Sequence, residues 1–214
     1  MIIASMATVP GREKICEKAL CSIEQQVDSL YYWKSVIHNR MDDARKFYCL
    51  IEDGYFFTID DDIIYPPDYA EKMIAAIEKY DRKAVVTLHG KRVRPPIESY
   101  YNGGAYKKYH CLGTVEGDHR VHIPGTGVMA YHSDTIRFSM DDFPEENMAD
   151  IQAGIKCNAL GVPVMVIEHA YNYLTYQEPP DVTIWERYAR NEPDTIQTRL
   201  VNETKWLPLP ESAP

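Results

Sequence analysis

Tyr55-Phe56-Phe57-Thr58-Ile59-Asp60-Asp61-Asp62-Ile63-Ile64-Tyr65-Pro66-Pro67 is a β-type run that ends in three consecutive carboxylates. Aromatic and β-branched residues favour a pleated, buried environment, so residues 55 to 59 are predicted to form a central strand with the acids at its C-terminal edge. In open α/β sheets that edge is where ligands bind. Adjacent carboxylates repel by about 1 to 4 kcal/mol per close pair, depending on how far water screens them, and a divalent cation is the usual reason to hold them together. Mg²⁺ and Mn²⁺ prefer hard oxygen ligands and are commonly held by one or two carboxylates plus substrate phosphates. Strand alternation sends Asp60 and Asp62 to one side and Asp61 to the other, so one pair can serve a ligand while the middle acid does something else. The plain alternative is a helix cap or solvated turn ahead of Pro66-Pro67-Asp68.

Around this stretch the chain alternates strand and helix patterns. Ile2-Ile3-Ala4-Ser5-Met6-Ala7-Thr8 reads as a first strand, and Thr8-Val9-Pro10-Gly11-Arg12 as a turn into a helix whose Ile15, Ala19, Ile23 and Val27 recur every four residues. Backbone N–H groups at such a helix start attract anions, and Arg12 adds a positive charge beside them; an ordinary tight connection with a surface arginine reads equally well. A second short strand is expected within residues 28 to 39, around Leu30-Tyr31-Tyr32-Trp33 and Val36-Ile37. Met41-Asp42-Asp43 then opens a helix with Ala44, Phe47, Tyr48 and Ile51 on one face, for which Asp42 or Asp43 would serve as an N-cap.

At Phe57-Thr58-Ile59-Asp60-Asp61-Asp62 the chain resembles the GT-A glycosyltransferases, especially the small family 2 type enzymes that build bacterial surface polysaccharides, whose Asp-x-Asp motif follows the nucleotide-binding strand. The resemblance implies a metal-dependent transfer of sugar from a nucleotide-sugar, a UDP-sugar first, to a hydroxyl of a glycan or lipid-linked acceptor, with inversion. It implies Asp60 near the ribose and Asp62 on a Mn²⁺ or Mg²⁺ ion shared with the diphosphate. Thr8, Pro10 and Arg12 of the first loop, Asp43 and Lys46 of the following helix, and Asp61 complete the implied donor contacts. The acidic triplet arrives earlier than in most members, as though one βα unit were missing before it.

After the triplet, a helix from Pro67-Asp68 carries Ala70, Met73, Ile74 and Ile77 inward, and Lys83 to Gly90 reads as a buried parallel strand ending in His89, expected to be a satisfied histidine. Residues 90 to 120 carry Lys91, Arg92, Arg94, Lys107, Lys108 and Arg120 against Glu98, Glu116 and Asp118, interleaved with Tyr100, Tyr101, Tyr106 and Tyr109. This stretch is expected to be a long acceptor-side loop, or else a solvated excursion. Two strands follow, joined by Gly125-Thr126-Gly127, and then a helix from Glu146 that places Asp150 in its first turns and stops at Gly161. In the resembled family an acid at that position deprotonates the acceptor, which implies Asp150 as general base. His169, at the end of the strand-like Pro163 to Ile167, is by the same resemblance a candidate metal ligand, and Glu168 a weaker one. Trp185 and Arg187 fall in a C-terminal segment that in those enzymes closes over the site.

The fold class expected is α/β, a GT-A (Rossmann-like), mostly parallel central sheet flanked by helices, with one domain over residues 1 to 206 and a proline-rich tail at 207 to 214. The net charge of -9 argues against nucleic acid as a partner. Cys16, Cys21, Cys49, Cys111 and Cys157 are an odd count in no metal-ligand spacing, which suits free thiols in a cytoplasmic protein and small buried hydrophobes. No leader pattern and no apolar run long enough to span a bilayer is present, so any membrane contact is expected to be peripheral. Two other functions fit parts of the pattern. A nucleotidyltransferase would share the sheet and the carboxylate-bound Mg²⁺ but calls for a glycine-rich phosphate loop where only Pro10-Gly11-Arg12 stands. A non-catalytic carbohydrate-binding module would use the tyrosines and a structural cation.

Overall fold

The acid-tipped strand lies inside a sheet with paired neighbours on both edges. The computed structural model describes residues 1–34, 43–48, 52–191 and 193–210. Val36, Ile37, Met41, Asp42, Cys49, Ile51 and residues 211–214 of the tail lie outside the described residues. In chain order the strands are β1 (Ile2–Thr8), β2 (Ser29–Lys34), β3 (Tyr55–Asp60), β4 (Ile63–Ile64), β5 (Val85–Thr87), β6 (Gly90–Val93), β7 (Ala105–Tyr109), β8 (His119–Val121), β9 (Ile123–Pro124), β10 (Val128–His132), β11 (Val164–Val166) and β12 (Thr175–Tyr176). The helices are α1 (Glu13–Ile23), α2 (Tyr69–Lys79), α3 (Ala149–Ala159), the short turn α4 (Ile184–Glu186) and α5 (Thr195–Glu203).

Among the described residues the main sheet has seven strands in the order β2-β1-β3-β10-β5-β11-β8. β1 pairs in parallel with β2 and β3, and β5 with β11, whereas β10 and the edge strand β8 run against their neighbours. The sheet is thus mixed and mostly parallel, with helices on its faces. The chain goes from β2 to β3 through a 3-10 turn at Asp43–Phe47. That turn replaces the helix expected there: Ala44 and Phe47 are buried, but Tyr48 is exposed.

Alternation along the strands builds two cores. Ala4, Met6, Phe57 and Ile59 pack with Cys16, Ala19 and Ile23 of α1 and with Met73 and Ile77 of α2. Their neighbours Ile3 and Phe56 face the other way, onto Phe47, Phe143 and the Ala149, Ala153 and Cys157 stripe of α3. Burying both faces explains why β1 and β3 read as nearly unbroken apolar runs. α3 starts at Ala149, later than the expected Glu146, and stops before Gly161, whose φ is +68°.

The region expected as a long loop is folded. β6 pairs with β7 and β9 in a small three-stranded antiparallel sheet, and Tyr100 and Val93 join Met148, Ile151 and Val201 in a third apolar cluster. Buried tyrosines and a buried Arg92, whose Nε donates to the Arg120 carbonyl at 2.8 Å, make this a packed element and not a solvated excursion. No helix among the described residues is long and apolar enough to cross a membrane.

Candidate functional site

The sheet register decides which side chains meet at the end of β3. Ala7 lies opposite Asp60 and Ile59 opposite Val128, so Thr8 and Gly127 flank the acids from the two neighbouring strands. Asp60 and Asp61 then part, as strand alternation predicts.

Asp61 turns towards the first loop and is buried. It accepts the Thr8 hydroxyl at 2.5 Å and Arg12 Nη1 at 3.1 Å. Arg12 is held a second time, by Asp181 through Nε at 2.6 Å and Nη2 at 3.1 Å. Burial raises the Asp61 pKa, with Thr8 and Arg12 pulling against it. The expectation of Arg12 as a cation open to phosphate is therefore corrected: its guanidinium is committed to two carboxylates. Pro10 is exposed at the turn.

Asp60 points the other way. Its Oδ1 lies 2.6 Å from Lys46 Nζ, and the lysine is buried while the aspartate is half exposed. A Cβ on Gly127 would fall 1.8 Å from Asp60 Oδ2, so the absence of a side chain there is what admits the carboxylate. Tyr65 fixes the same corner, accepting the Asp60 N–H at 2.8 Å and donating to the Gly127 carbonyl at 2.6 Å. Burial would lower the Lys46 pKa, but Asp60, Asp43 and Asp150 outweigh it and hold the ammonium charged.

Asp62 forms no ion pair among the described residues. Burial first, then the negative charges of Asp60 and Asp61, push its carboxyl up to about 7, with Arg12 offsetting only part. Its carbonyl accepts the Gln177 N–H at 2.8 Å, and β12 pairs with β4, so the segment from 175 to 181 borders the triplet. Asp60 and Asp62 carry the hard carboxylate oxygens that a Mg²⁺ or Mn²⁺ ion takes, and in donor chemistry the pair fits such an ion.

On the far side, Asp150 stands in the first turn of α3. Its Oδ1 accepts both the backbone N–H of Thr126 at 2.8 Å and the Thr126 hydroxyl at 2.7 Å. No hydrogen bond among the described residues reaches Oδ2. Adjacent loop residues thus serve the two acids: Thr126 anchors Asp150 and Gly127 admits Asp60. Asp43 accepts the Ala149 N–H at 3.0 Å through Oδ2, while its Oδ1 is buried without a partner among the described residues. Burial is the main reason its pKa rises to about 6, against the opposing pull of Lys46.

Lys91, at the start of the small sheet, lies over the rings of Tyr100 at 4.0 Å and Tyr101 at 5.2 Å. Burial lowers it to about 8, with Asp150 the main opposing influence.

The histidine expectation is corrected. His169 is buried, its Nδ1 2.8 Å from the Ile167 carbonyl and its Nε2 3.2 Å from the His110 carbonyl, so neither ring nitrogen is turned to the triplet. Glu168 is exposed, and its N–H donates to Asp118. Trp185 is exposed under the Arg190 guanidinium. Tyr65, Thr126 and Asp181 were not singled out by their sequence context. Each acts through a contact many residues away, and local pattern carries no signal for such contacts. His89, expected to be satisfied, has no ring hydrogen bond among the described residues. Burial lowers its pKa to about 3.

No family model and no curated protein matches this chain. Among solved structures, A197 from STIV is similar with a TM-score of 0.45 and 11% sequence identity over 86% of this chain and 98% of that one. A likeness at that level says nothing of activity.

Proposed function

We propose that the protein is a metal-dependent glycosyltransferase that moves a sugar from a nucleotide-sugar, a UDP-sugar first, to a hydroxyl of a glycan or lipid-linked acceptor, with inversion. The observation that carries this reading is the half-buried Asp62 carboxyl, raised to about 7 by burial and then by Asp60 and Asp61, with no ion-pair partner among the described residues, at the C-terminal edge of the sheet. Asp60 and Asp62 would hold a Mn²⁺ or Mg²⁺ ion, which when bound neutralises charge on the departing diphosphate. Lys46, charged and buried beside Asp60, holds that carboxylate in place and adds a positive charge near the leaving group. The unpartnered Oδ1 of Asp43 suits a donor group of the nucleoside.

Asp150 is the base in this reading. Thr126 holds one of its oxygens, which leaves Oδ2 for the acceptor hydroxyl. As the hydroxyl oxygen bonds to the anomeric carbon, its proton passes to Asp150, and the bond from that carbon to the diphosphate oxygen breaks with its electron pair leaving on the diphosphate. Lys91, with the less buried Tyr101 beside it, would border the acceptor side. The four described cysteines are free thiols, which suits a cytosolic enzyme.

The test is release of nucleoside diphosphate from UDP-, GDP- and CDP-sugars with Mn²⁺, with and without EDTA, for the wild type and Asp62→Ala. Metal-dependent release by the wild type alone is expected. Equal, metal-independent release by both proteins overturns the role given to the triplet.

A further inference from the structure

We propose that His89, His110 and Cys111 form a cation site of their own, for a borderline-soft divalent ion of the Zn²⁺ type, at the turn between β5 and β6 and the residues just after β7. One ring nitrogen from each histidine and the thiol sulfur all lie within 4.8 Å of one another. Two imidazole nitrogens and a thiolate are the donors that zinc selects, and three protein ligands with an open fourth position describe a zinc site that also takes water or substrate. No carboxylate oxygen of Asp60 or Asp62 belongs to this group among the described residues, so the set is chemically distinct from the hard-oxygen corner.

Both arms of the site are held by the backbone. The Gly125 N–H donates to the His89 carbonyl at 2.7 Å, and a Cβ at Gly125 would stand 2.7 Å from His89 Cβ and 3.1 Å from its ring, so the imidazole packs closely against the same loop that carries Thr126 and Gly127. The His110 carbonyl accepts the Gly113 N–H at 2.9 Å and lies 3.2 Å from His169 Nε2. That contact gives the buried strand-end histidine a part in orienting the ligand arm. The His89 and His110 rings meet edge to face with centroids 5.1 Å apart. The Leu112 N–H reaches His110 Nδ1 at 3.2 Å. A metal on the other nitrogen moves the ring proton to Nδ1 and gives up this one long hydrogen bond, a small loss beside a thiolate and two imidazoles on zinc.

Cys111 packs against the core cluster that holds Ile59, Ile63 and Tyr65 beside the acids, and burial, then the charges of Asp60 and Asp62, push its thiol up. An ion here would sit beside the donor side of the cleft, and its charge would favour anionic ligands there. The inference stands on its own donor set and does not depend on the transferase reading.

Cobalt(II) is the probe, because a thiolate on Co²⁺ gives a near-ultraviolet charge-transfer band that carboxylate and imidazole ligands alone do not. Metal-free full-length protein is titrated with Co²⁺ and then with Zn²⁺. One Co²⁺ per chain with a thiolate band, displaced by one equivalent of Zn²⁺, is expected. The band should vanish in Cys111→Ser and weaken at least tenfold in affinity in His110→Ala, a substitution at an exposed side chain that leaves the fold intact by circular dichroism. Asp62→Asn and Cys21→Ser should keep the band. Absence of a thiolate band at stoichiometric Co²⁺, or a band that survives Cys111→Ser, overturns the site.

Discussion

Asp43 Oδ2 accepts the backbone N–H of Ala149 at 3.0 Å, which ties the 3-10 turn at 43–47 to the first turn of α3, one residue from Asp150. An acid there satisfies one of the donors that a helix start leaves open and meets the positive end of its dipole. Asp43→Ala should lower stability to urea by about 1 kcal/mol, as loss of a cap does, and weaken nucleotide binding through the missing Oδ1. Asp43→Asn keeps an acceptor and should recover most of the stability. Unchanged urea midpoints for both variants would show that the contact contributes nothing.

The raised acids set a pH dependence. The folded Asp43 titrates at about 6 and Asp62 at about 7, both mainly through burial, whereas an unfolded aspartate titrates near 4. Between those values the folded chain keeps protons that the unfolded chain has lost. Their contribution is fully present below about pH 4 and is lost as pH rises through about 6 and 7. Asp62→Asn in EDTA should therefore raise Tm at about pH 8, by about 2 to 4 °C for each kcal/mol recovered, and change it little at about pH 4. A Tm difference that is the same at both pH values contradicts this account.

Gly127 separates fold from site. A methyl group placed 1.8 Å from Asp60 Oδ2 cannot be accommodated with the carboxylate where it is, but that side chain is half exposed and can rotate away. Gly127→Ala should thus keep the wild-type circular dichroism and lose less than about 2 kcal/mol, while Mn²⁺-dependent nucleotide binding falls at least about tenfold. Calorimetric titration with UDP and Mn²⁺ decides it: affinity equal to wild type would mean that Asp60 is not needed where it sits.

The strand ending in three acids, the first βα unit and the acid at the start of α3 were legible because each is local: residue type and period place them. Alternation alone foretold that Asp61 would part from Asp60. What was not legible depends on distant partners. Arg12 looked like an open cation because nothing near it in the chain announces Asp181. His169 was a candidate ligand only through the resemblance, and one of the two carbonyls that hold its ring comes from His110, far upstream. Residues 90 to 120 looked like a loop because six Lys and Arg stand against three acids there, yet Tyr100, Tyr101 and Val93 find cover on α3 and α5.

The double hold on Arg12 gives unequal expectations for losing the arginine and for losing its outer partner Asp181. Removing the arginine leaves buried Asp61 with only Thr8, so Arg12→Ala should cost roughly 1 to 3 kcal/mol. Asp181 is half exposed, and Asp181→Ala should cost under about 1 kcal/mol. Urea unfolding at neutral pH tests the order, and a larger loss for Asp181→Ala reverses the reading of which carboxylate Arg12 serves.

Asp150 separates chemistry from binding. Its contacts run to Thr126 and not to the residues that would hold the nucleotide, so Asp150→Asn should lower turnover by about 10² to 10⁴-fold and leave affinity for UDP with Mn²⁺ within about twofold. Thr126→Val keeps the backbone N–H to Oδ1 and removes only the hydroxyl, so turnover should fall by about tenfold, the worth of one hydrogen bond. The ordering follows from geometry, since the backbone bond alone still orients the carboxylate, and an Asn in its place is oriented but cannot take a proton. Single-turnover rates on the two variants, with binding measured separately, check the split. An Asp150→Asn protein that loses binding and keeps its rate would move the residue from proton acceptor to ligand support.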